Sequence, residues 1–243
     1  YGENTPIGDS LVAYIGSGTS TPDLGLLNGE EYWYAIFGLD ECRNYSLAAR
    51  TGPHSPGEAA TVIGDAADPQ DSTACPGDAA LVLDTFTLAT TLGVDAVKAV
   101  TVELSEGAGS VLSLVEIASE DGATVYGASS GAFGQVVSVP LPTPVEIGTQ
   151  PKTFAIRVTP KSHAEMPAAP GATVSVSGRV RTIDCRNQKT GRDTGGTTIT
   201  IDNSSPAAPQ WKPAVESGAD LQLAWTKPED SDLAGVLLVR GPA

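Results

Sequence analysis

The sequence has few of the side chains that build redox centres and metal clusters. It contains 3 cysteines and 2 histidines, and no Cys-x-x-Cys or Cys-x-x-Cys-His motif occurs. Such motifs hold zinc or attach haem, so the cysteine pattern argues against zinc ribbons and multi-haem proteins. No constellation of catalytic side chains is recognisable, and the chain is therefore expected not to be an enzyme.

Basic residues are also scarce. The 14 Lys and Arg stand against 29 Asp and Glu, which gives a formal net charge of −15. A charge of this sign and size repels phosphate backbones and anionic lipid, so the sequence predicts no nucleic-acid partner. No apolar run reaches the roughly 18 residues that cross a bilayer, and no membrane insertion is expected.

Glycine and proline are abundant, with 27 Gly and 18 Pro. Between the turns that these residues mark, hydrophobic and polar residues alternate with period two, which is typical of half-buried strands. About eight such segments within residues 75–202 predict an all-β sandwich of two sheets. The segments are residues 81–88, 96–104, 111–117, 124–126, 136–141, 153–159, 173–183 and 197–201.

The 243 residues suit two domains of ordinary size. Residues 52–74 are rich in Pro, Gly, Ala, Asp and Ser, and this composition predicts an inter-domain linker with one short strand at 60–63. Two shorter segments, residues 1–51 and 203–243, flank the predicted linker and large domain.

The C-terminal segment resembles the first half of a fibronectin type III module. Strand A would follow Pro209, and strand B would close on Trp225. A turn bearing Pro228 would then lead to strand C at residues 236–240. The chain stops where the second half of such a module would begin.

The N-terminal segment resembles that second half, strands C′ to G. Leu26, Gly29, Tyr32, Ile36 and Gly38 match the loop and strand F of this family. In the family the tyrosine hydroxyl usually bonds back to the loop, so the resemblance implies this contact here.

The large domain resembles the Ig-like β-sandwich repeats that alternate with fibronectin type III modules in very long bacterial surface proteins. Residues 156–170 and 200–206 carry this likeness. The resemblance implies an extracellular or cell-surface protein of a bacterium, and it concerns architecture rather than activity.

A module divided in this way leaves both halves without sheet partners. Six apolar residues of the C-terminal half would face the missing half, which corresponds to burial on the order of 10 kcal/mol before ordering costs. The residues expected at the contact are Leu221, Leu223, Trp225, Leu233, Val236 and Leu238 from one half and Tyr32, Tyr34 and Ile36 from the other.

The missing partner could come from three places. The C-terminal half of one chain could dock with the N-terminal half of the next, giving a head-to-tail polymer of identical copies. The two halves could also close within one chain, or the chain could be one period of a longer array. Disordered ends of a truncated chain are the plain alternative.

The favoured hypothesis is therefore the structural subunit of an extracellular filament or surface fibre. The alternative is a non-catalytic module that binds carbohydrate or protein within a larger secreted protein. Alternation on strand F leaves Trp33 and Phe37 facing outwards, where they could stack on a sugar or contact a protein.

Two further expectations concern cysteines and calcium. Cys75 and Cys185 flank the large domain and could form a disulfide in an oxidising compartment. Cys42 would then be a free thiol or an intermolecular bond, and pairing of Cys42 with either of the others stays open.

Calcium is conceivable at the segment junctions, where acidic side chains offer hard oxygen ligands. No EF-hand spacing is present, so solvated loop carboxylates are the competing interpretation, and no other cofactor is expected. The residues concerned are Asp65, Asp68, Asp71 and Asp78 on one side and Asp202 and Asn203 on the other.

Overall fold

The structure is a computed structural model that describes residues 3–42, 44–57, 59–168 and 171–241. The outer ends of the two terminal segments, residues 1–2 and 242–243, lie outside the described residues. Residues 169–170 of the Ig-like pattern also lie outside them.

The described chain consists of strands and loops. Four strands come first: β1 (Pro6–Ile7), β2 (Ser10–Leu11), β3 (Tyr32–Ile36) and β4 (Ala49–His54). Twelve central strands follow: β5 (Ala60–Asp65), β6 (Ser72–Ala74), β7 (Leu81–Thr90), β8 (Asp95–Leu104), β9 (Leu112–Ser119), β10 (Val125–Ser130), β11 (Val136–Ile147), β12 (Lys152–Pro160), β13 (Thr173–Val176), β14 (Gly178–Asp184), β15 (Gln188–Gly191) and β16 (Ile199–Asp202). The last four are β17 (Gln210–Trp211), β18 (Val215–Ser217), β19 (Asp220–Gln222) and β20 (Trp225–Thr226).

Helix is nearly absent from the described residues. Within the part of the chain that the structure describes, the one helical turn is a 3₁₀ turn at Ala108–Ser110. Within the described ranges, no helix has the length and apolar character needed to cross a bilayer.

The twelve central strands surround one hydrophobic core. A six-stranded sheet has the order β10-β9-β12-β7-β5-β15, and two three-stranded sheets, β11-β8-β14 and β13-β16-β6, complete the enclosure. The core between them is mostly Val, Leu and Ile, with Phe86 and Phe154 stacked at 5.4 Å between ring centroids. The predicted all-β sandwich class is confirmed, and each of the eight predicted segments contains a strand.

One predicted segment, residues 173–183, is divided in two. β13 pairs with β16, whereas β14 pairs with β8. The break falls at Ser177, whose N–H donates to the side-chain Oγ of Ser105 at 3.0 Å. A strand that changes sheets in this way helps to close the corner of a sandwich.

Residues 52–74 do not act as a free connector between two domains, although the short strand predicted at 60–63 is present as part of β5. Residues 52–54 end β4, while β5 lies inside the six-stranded sheet between β7 and β15. Thr61 and Ile63 on β5 are buried, and β6 pairs with β16. Pro56 and Gly57 lie in the connection between β4 and β5, and Asp68, Pro69 and Asp71 lie in the connection between β5 and β6, whereas Gly52, Pro53 and Gly64 are inside strands.

The chain enters the sandwich at one end and leaves it at the other. Near the start of β5, Thr61 Oγ1 donates to Asp95 Oδ2 at 2.6 Å, and Asp95 is the first residue of β8. The last residue of β8, Leu104, pairs with Gly178, the first residue of β14, which is separated from β13 only by Ser177. β13 pairs with β16, after which the chain departs at Asp202. A ten-residue strand spans about 30 Å, so the two terminal segments are attached roughly that far apart.

Candidate functional site

The N-terminal segment forms a two-stranded hairpin that carries the predicted tyrosine contact. β3 pairs with β4, and Tyr34 lies opposite Thr51. The Leu27 N–H donates to the Tyr32 hydroxyl at 2.8 Å, so the bond from the loop to the tyrosine is confirmed. β3 has no partner on its other edge among the described strands.

The expected inner face of β3 is only partly covered. Tyr32 and Tyr34 are half-buried, while Ile36 is 72% exposed although it was expected to face inwards. Ile36 is exposed because no described sheet lies opposite β3. Partial burial, together with the hydrogen bond that the Tyr34 hydroxyl donates to Asp23 at 3.0 Å, raises the pKa of Tyr34.

The loop before β3 fixes this hairpin to the sandwich. The Asn28 N–H donates to the Val94 carbonyl at 3.0 Å, and Asn28 Nδ2 donates to the Leu92 carbonyl at 2.7 Å. Glu30 forms an ion pair with Arg186. The hairpin is therefore held at the Asp95 end of β8.

The C-terminal segment forms a second hairpin, from the predicted strands A and B. β17 pairs with β20 and β18 with β19, and the turn between the two arms contains Gly218. Trp211 and Trp225 meet edge to face across this hairpin at 6.1 Å. Leu221 and Leu223 are exposed and Trp225 is half-buried, so the predicted contact face is largely open.

The predicted strand C is not formed. Residues 233–241 contain no strand, because neither of the neighbours expected in its sheet lies in the C-terminal half. Leu233 is half-buried in this segment. The exposure of the next four apolar side chains nevertheless alternates: 37% for Val236, 87% for Leu237, 48% for Leu238 and 76% for Val239. Val236 and Leu238 thus share one side, as expected of a strand that lacks partners.

The short hairpin of β1 and β2 shows the same lack of partners. β2 covers only Ser10–Leu11 and pairs with β1 alone. In the resembled module this strand pairs with one from the other half. No strand of residues 3–57 pairs with a strand of residues 203–241 within the described chain, so closure inside one molecule does not occur in this structure.

The predicted disulfide between Cys75 and Cys185 is not formed in this structure, in which Cys42, Cys75 and Cys185 are all free thiols. Cys75 follows β6, near the end of the sandwich where Gly77 N–H donates to the Lys161 carbonyl. Cys185 follows β14 at the opposite end, beside Asp95. A disulfide needs its two Cα atoms within about 7 Å, and the length of the sandwich separates these thiols.

The acidic residues considered for calcium do not form one group. Asp71 accepts from Thr198 N–H at 2.8 Å, Asp78 from Cys75 N–H at 2.7 Å and Asp202 from Ser204 N–H at 2.9 Å. Asn203 Nδ2 donates to the Pro167 carbonyl at 3.1 Å. These side chains serve local turns and loops.

Asp65 and Asp68 instead approach two acids that the sequence did not single out, Asp84 and Asp193. Burial, followed by the hydrogen bond and charge of Asp193 and those of Asp68, raises the pKa of Asp84 to about 9. Burial also raises the pKa of Asp193. The available signal was Asp84 itself, an acid inside the apolar run of β7. No three Asp, Glu, His or Cys side chains of the described ranges are arranged as a metal-binding group.

A Gly-x-Ser-x-Gly pentapeptide, the pattern of a nucleophile elbow, occurs at residues 127–131 and was missed among the sequence motifs. A nucleophile elbow places its serine on a sharp turn between a strand and a helix. Here Ser129 lies within the edge strand β10, opposite Val115. The pentapeptide therefore lacks the geometry of an elbow.

Comparisons with known proteins give no independent identification. No family model matches the chain, and a search of curated proteins finds no match. The two hairpins and their positions on the sandwich are the features that bear on function.

Proposed function

We propose that this protein is a structural subunit that assembles head to tail into an extracellular filament or surface fibre. The observation that carries the proposal is the pair of incomplete hairpins, each with exposed apolar residues, attached at opposite ends of one sandwich. A surface at one end and its complement at the other form a heterologous contact, which continues from copy to copy unless the rotation closes a ring.

In the proposed joint, the two halves combine as a fibronectin type III module. Residues 236–240 of one copy add to the free edge of β3 in the next copy. Leu221, Leu223 and Trp225 then cover the face of Tyr32, Tyr34 and Ile36. The sandwich between the joints corresponds to an Ig-like domain of a bacterial surface protein.

Leaving both hairpins without partners costs free energy. An isolated two-stranded hairpin is marginal in water, and long unpaired edges promote association. Full burial of an apolar side chain contributes about 1.5–3 kcal/mol, so the six residues of the C-terminal half supply on the order of 10 kcal/mol before the costs of ordering and association. The same joint would link successive periods if this chain is part of a longer array.

Sizing tests the proposal directly. Light scattering and negative-stain microscopy of the full chain should detect large, elongated particles, and deletion of residues 211–243 should leave only small species. A full chain that stays monomeric at every concentration would contradict head-to-tail assembly.

A non-catalytic binding module is the second candidate, because Trp33 is 69% exposed and Phe37, four residues further along the chain, is also exposed. Exposed aromatic rings of this kind stack on sugars and on protein surfaces. This candidate predicts that the chain binds a polysaccharide and that Trp33→Ala abolishes the binding without changing particle size.

A further inference from the structure

Two aspartates inside the sandwich lack the partners that ionised carboxylates need. Asp84 on β7 and Asp193 after β15 are both fully buried. No N–H or hydroxyl group of the described residues donates to either carboxyl oxygen of Asp84. Asp193 Oδ2 accepts from the Val180 N–H at 2.6 Å, while its Oδ1 has no such donor. A buried polar atom without a partner is unfavourable, most of all when it is charged.

The groups that face this buried pair are two further carboxyl groups and an apolar strand. Asp68, in the connection between β5 and β6, acts on Asp84 by hydrogen bond and charge. Asp65, at the end of β5, acts on Asp193 in the same way. On β12, the residue opposite Asp84 is Ile156. The surroundings of the pair therefore offer it negative charge and hydrocarbon.

The positive charges nearby are already paired elsewhere. Arg179 on β14 adjoins the loop that follows β15, residues 192–198, but its guanidinium donates to Glu103 through Nε at 3.1 Å and Nη2 at 2.9 Å. The other ion pair of the described residues joins Arg186 to Glu30. Neither ion pair includes an aspartate of this group, so the buried charge must be removed in another way.

A proton on one of the two buried carboxyl groups removes that charge. Two ionised carboxylates are both acceptors and cannot bond to each other, whereas a protonated carboxyl group donates. Burial, followed by the hydrogen bond with Asp193, raises the pKa of Asp84 to about 9. Burial also raises the pKa of Asp193, but the Val180 N–H and then the bond with Asp84 act to lower it. The proton therefore resides on Asp84, and Asp193 is the acceptor.

The loops beside the pair are held against it by hydrogen bonds. Thr85 Oγ1, next to Asp84 on β7, donates to the Ala67 carbonyl at 2.6 Å. Thr197 Oγ1, in the loop that follows β15, donates to the Pro69 carbonyl at 2.8 Å. The connection between β5 and β6 thus contacts both β7 and the loop that follows β15.

We infer that the hydrogen bond from a protonated Asp84 to Asp193 is a pH-sensitive connection built into the sandwich. It joins β7 to the loop at residues 192–198. That loop leads into β16, which pairs with β6 and from which the chain departs at Asp202. When the proton passes to solvent at alkaline pH, two buried negative charges repel each other and the connection is lost.

The raised pKa of Asp84 sets the direction of the pH effect. An unfolded aspartate has a pKa of about 3.9, so above about pH 5 the folded chain retains a proton that the unfolded chain has released. The stability that this proton contributes is full below the unfolded pKa and is lost as pH rises through the folded pKa. Between about pH 5.5 and pH 7.5, the equilibrium constant for unfolding should therefore rise about tenfold per pH unit.

Infrared spectroscopy of the full chain tests for the proton itself. Exposed carboxyl groups with ordinary pKa values are ionised at about pH 7.5, so the carbonyl stretch of a protonated carboxylic acid should come from Asp84. Asp84→Asn should abolish this band, because its amide can donate to Asp193 but cannot titrate. Urea unfolding between about pH 5.5 and pH 7.5 should show the tenfold rise per pH unit in the wild-type chain and not in this variant.

The matched control is Asp95→Asn, because Asp95 is also fully buried but accepts from Thr61 Oγ1 and from the Asn187 N–H. This variant should keep both the infrared band and the pH dependence between about pH 5.5 and pH 7.5. The inference is overturned if the wild-type chain shows no carboxylic acid band, a measurement that decides the matter even if Asp84→Asn does not fold. It is also overturned if the wild-type chain and Asp84→Asn depend on pH in the same way.

Discussion

Among the three cysteines, Cys185 lies in surroundings that disfavour a thiolate. Partial burial, followed by the hydrogen bond and negative charge of Asp95, raises the pKa of Cys185 to about 11. At pH 8 only about one Cys185 in a thousand is then a thiolate, which is the reactive form. Cys42 and Cys75 are exposed.

We therefore expect Cys42 and Cys75 to react with iodoacetamide at pH 8 well before Cys185 does. Peptide mass spectrometry of a time course, without reductant, measures the order of labelling. Denatured protein is the control, because unfolding should make the three rates similar. Labelling of Cys185 first in the native chain, or recovery of a Cys75–Cys185 peptide, would contradict this arrangement of thiols.

Asp95 shows how a buried carboxylate is stabilised when its partners are present. Burial acts to raise its pKa, but hydrogen bonds from Thr61, Cys185 and the N–H groups of Arg186 and Ala96 outweigh burial, so the pKa of Asp95 is lowered. A group whose pKa is lower in the folded state contributes stability that is full above its unfolded value and is lost as pH falls through the folded value.

The wild-type chain should accordingly lose stability in the range from about pH 4 downwards, near and below the unfolded pKa of aspartate. Asp95→Asn should be less stable at neutral pH and should lose less on acidification. Urea unfolding at several pH values measures both. Parallel pH profiles for the two proteins would show that Asp95 does not contribute in this way.

Among the structural elements, the C-terminal segment at residues 233–241 allows the most direct test of the proposed joint between copies. Leu237 and Leu238 are neighbours with the same side chain, and the alternation of exposure assigns only Leu238 to the proposed joint. Leu238→Asp should prevent assembly, because it places a charge in the apolar contact. Leu237→Asp is the matched control and should still form large particles by light scattering. Equal behaviour of the two variants would exclude a strand-like joint at this segment.

The strands that could be predicted from the sequence are those with one buried face. In most of β8 every second residue faces the core, so hydrophobic and polar residues alternate along the strand. This alternation at residues 96–104 predicts β8 almost to its ends. β15 could not be predicted, since its residues Gln188–Gly191 are all exposed and its strand conformation depends on parallel pairing with β5.

The remaining features could not be predicted because they depend on how the fold places residues that are far apart in the sequence. Asp84 is recognisable in the sequence as an acid in an apolar run, but its neighbour Asp193 is brought near only by the fold. Cys75 and Cys185 flank the predicted domain in sequence, yet they lie at opposite ends of the sandwich because β6 and β14 run to different ends. Spacing along the chain carries no information about these distances.

At the scale of the whole molecule, the proposed assembly has two ends that are not equivalent. A chain that lacks residues 211–243 keeps the N-terminal hairpin but has no C-terminal hairpin to offer. Added to the full chain, it should dock once and stop growth, so mean particle length should fall as its fraction rises. Light scattering measures this, and the same truncated chain carrying Ile36→Asp is the control that should not shorten the particles.

The attachment of the terminal segments at opposite ends of the sandwich also bears on how such a fibre would withstand pulling. Tension between neighbouring copies would enter near Ala60 and leave near Asp202, along a path roughly parallel to the long strands. Ladder hydrogen bonds lie across that direction, so force would load them in shear, many at once, rather than peel them apart singly. The sandwich would then be a mechanically strong unit, and the joints between copies would yield first.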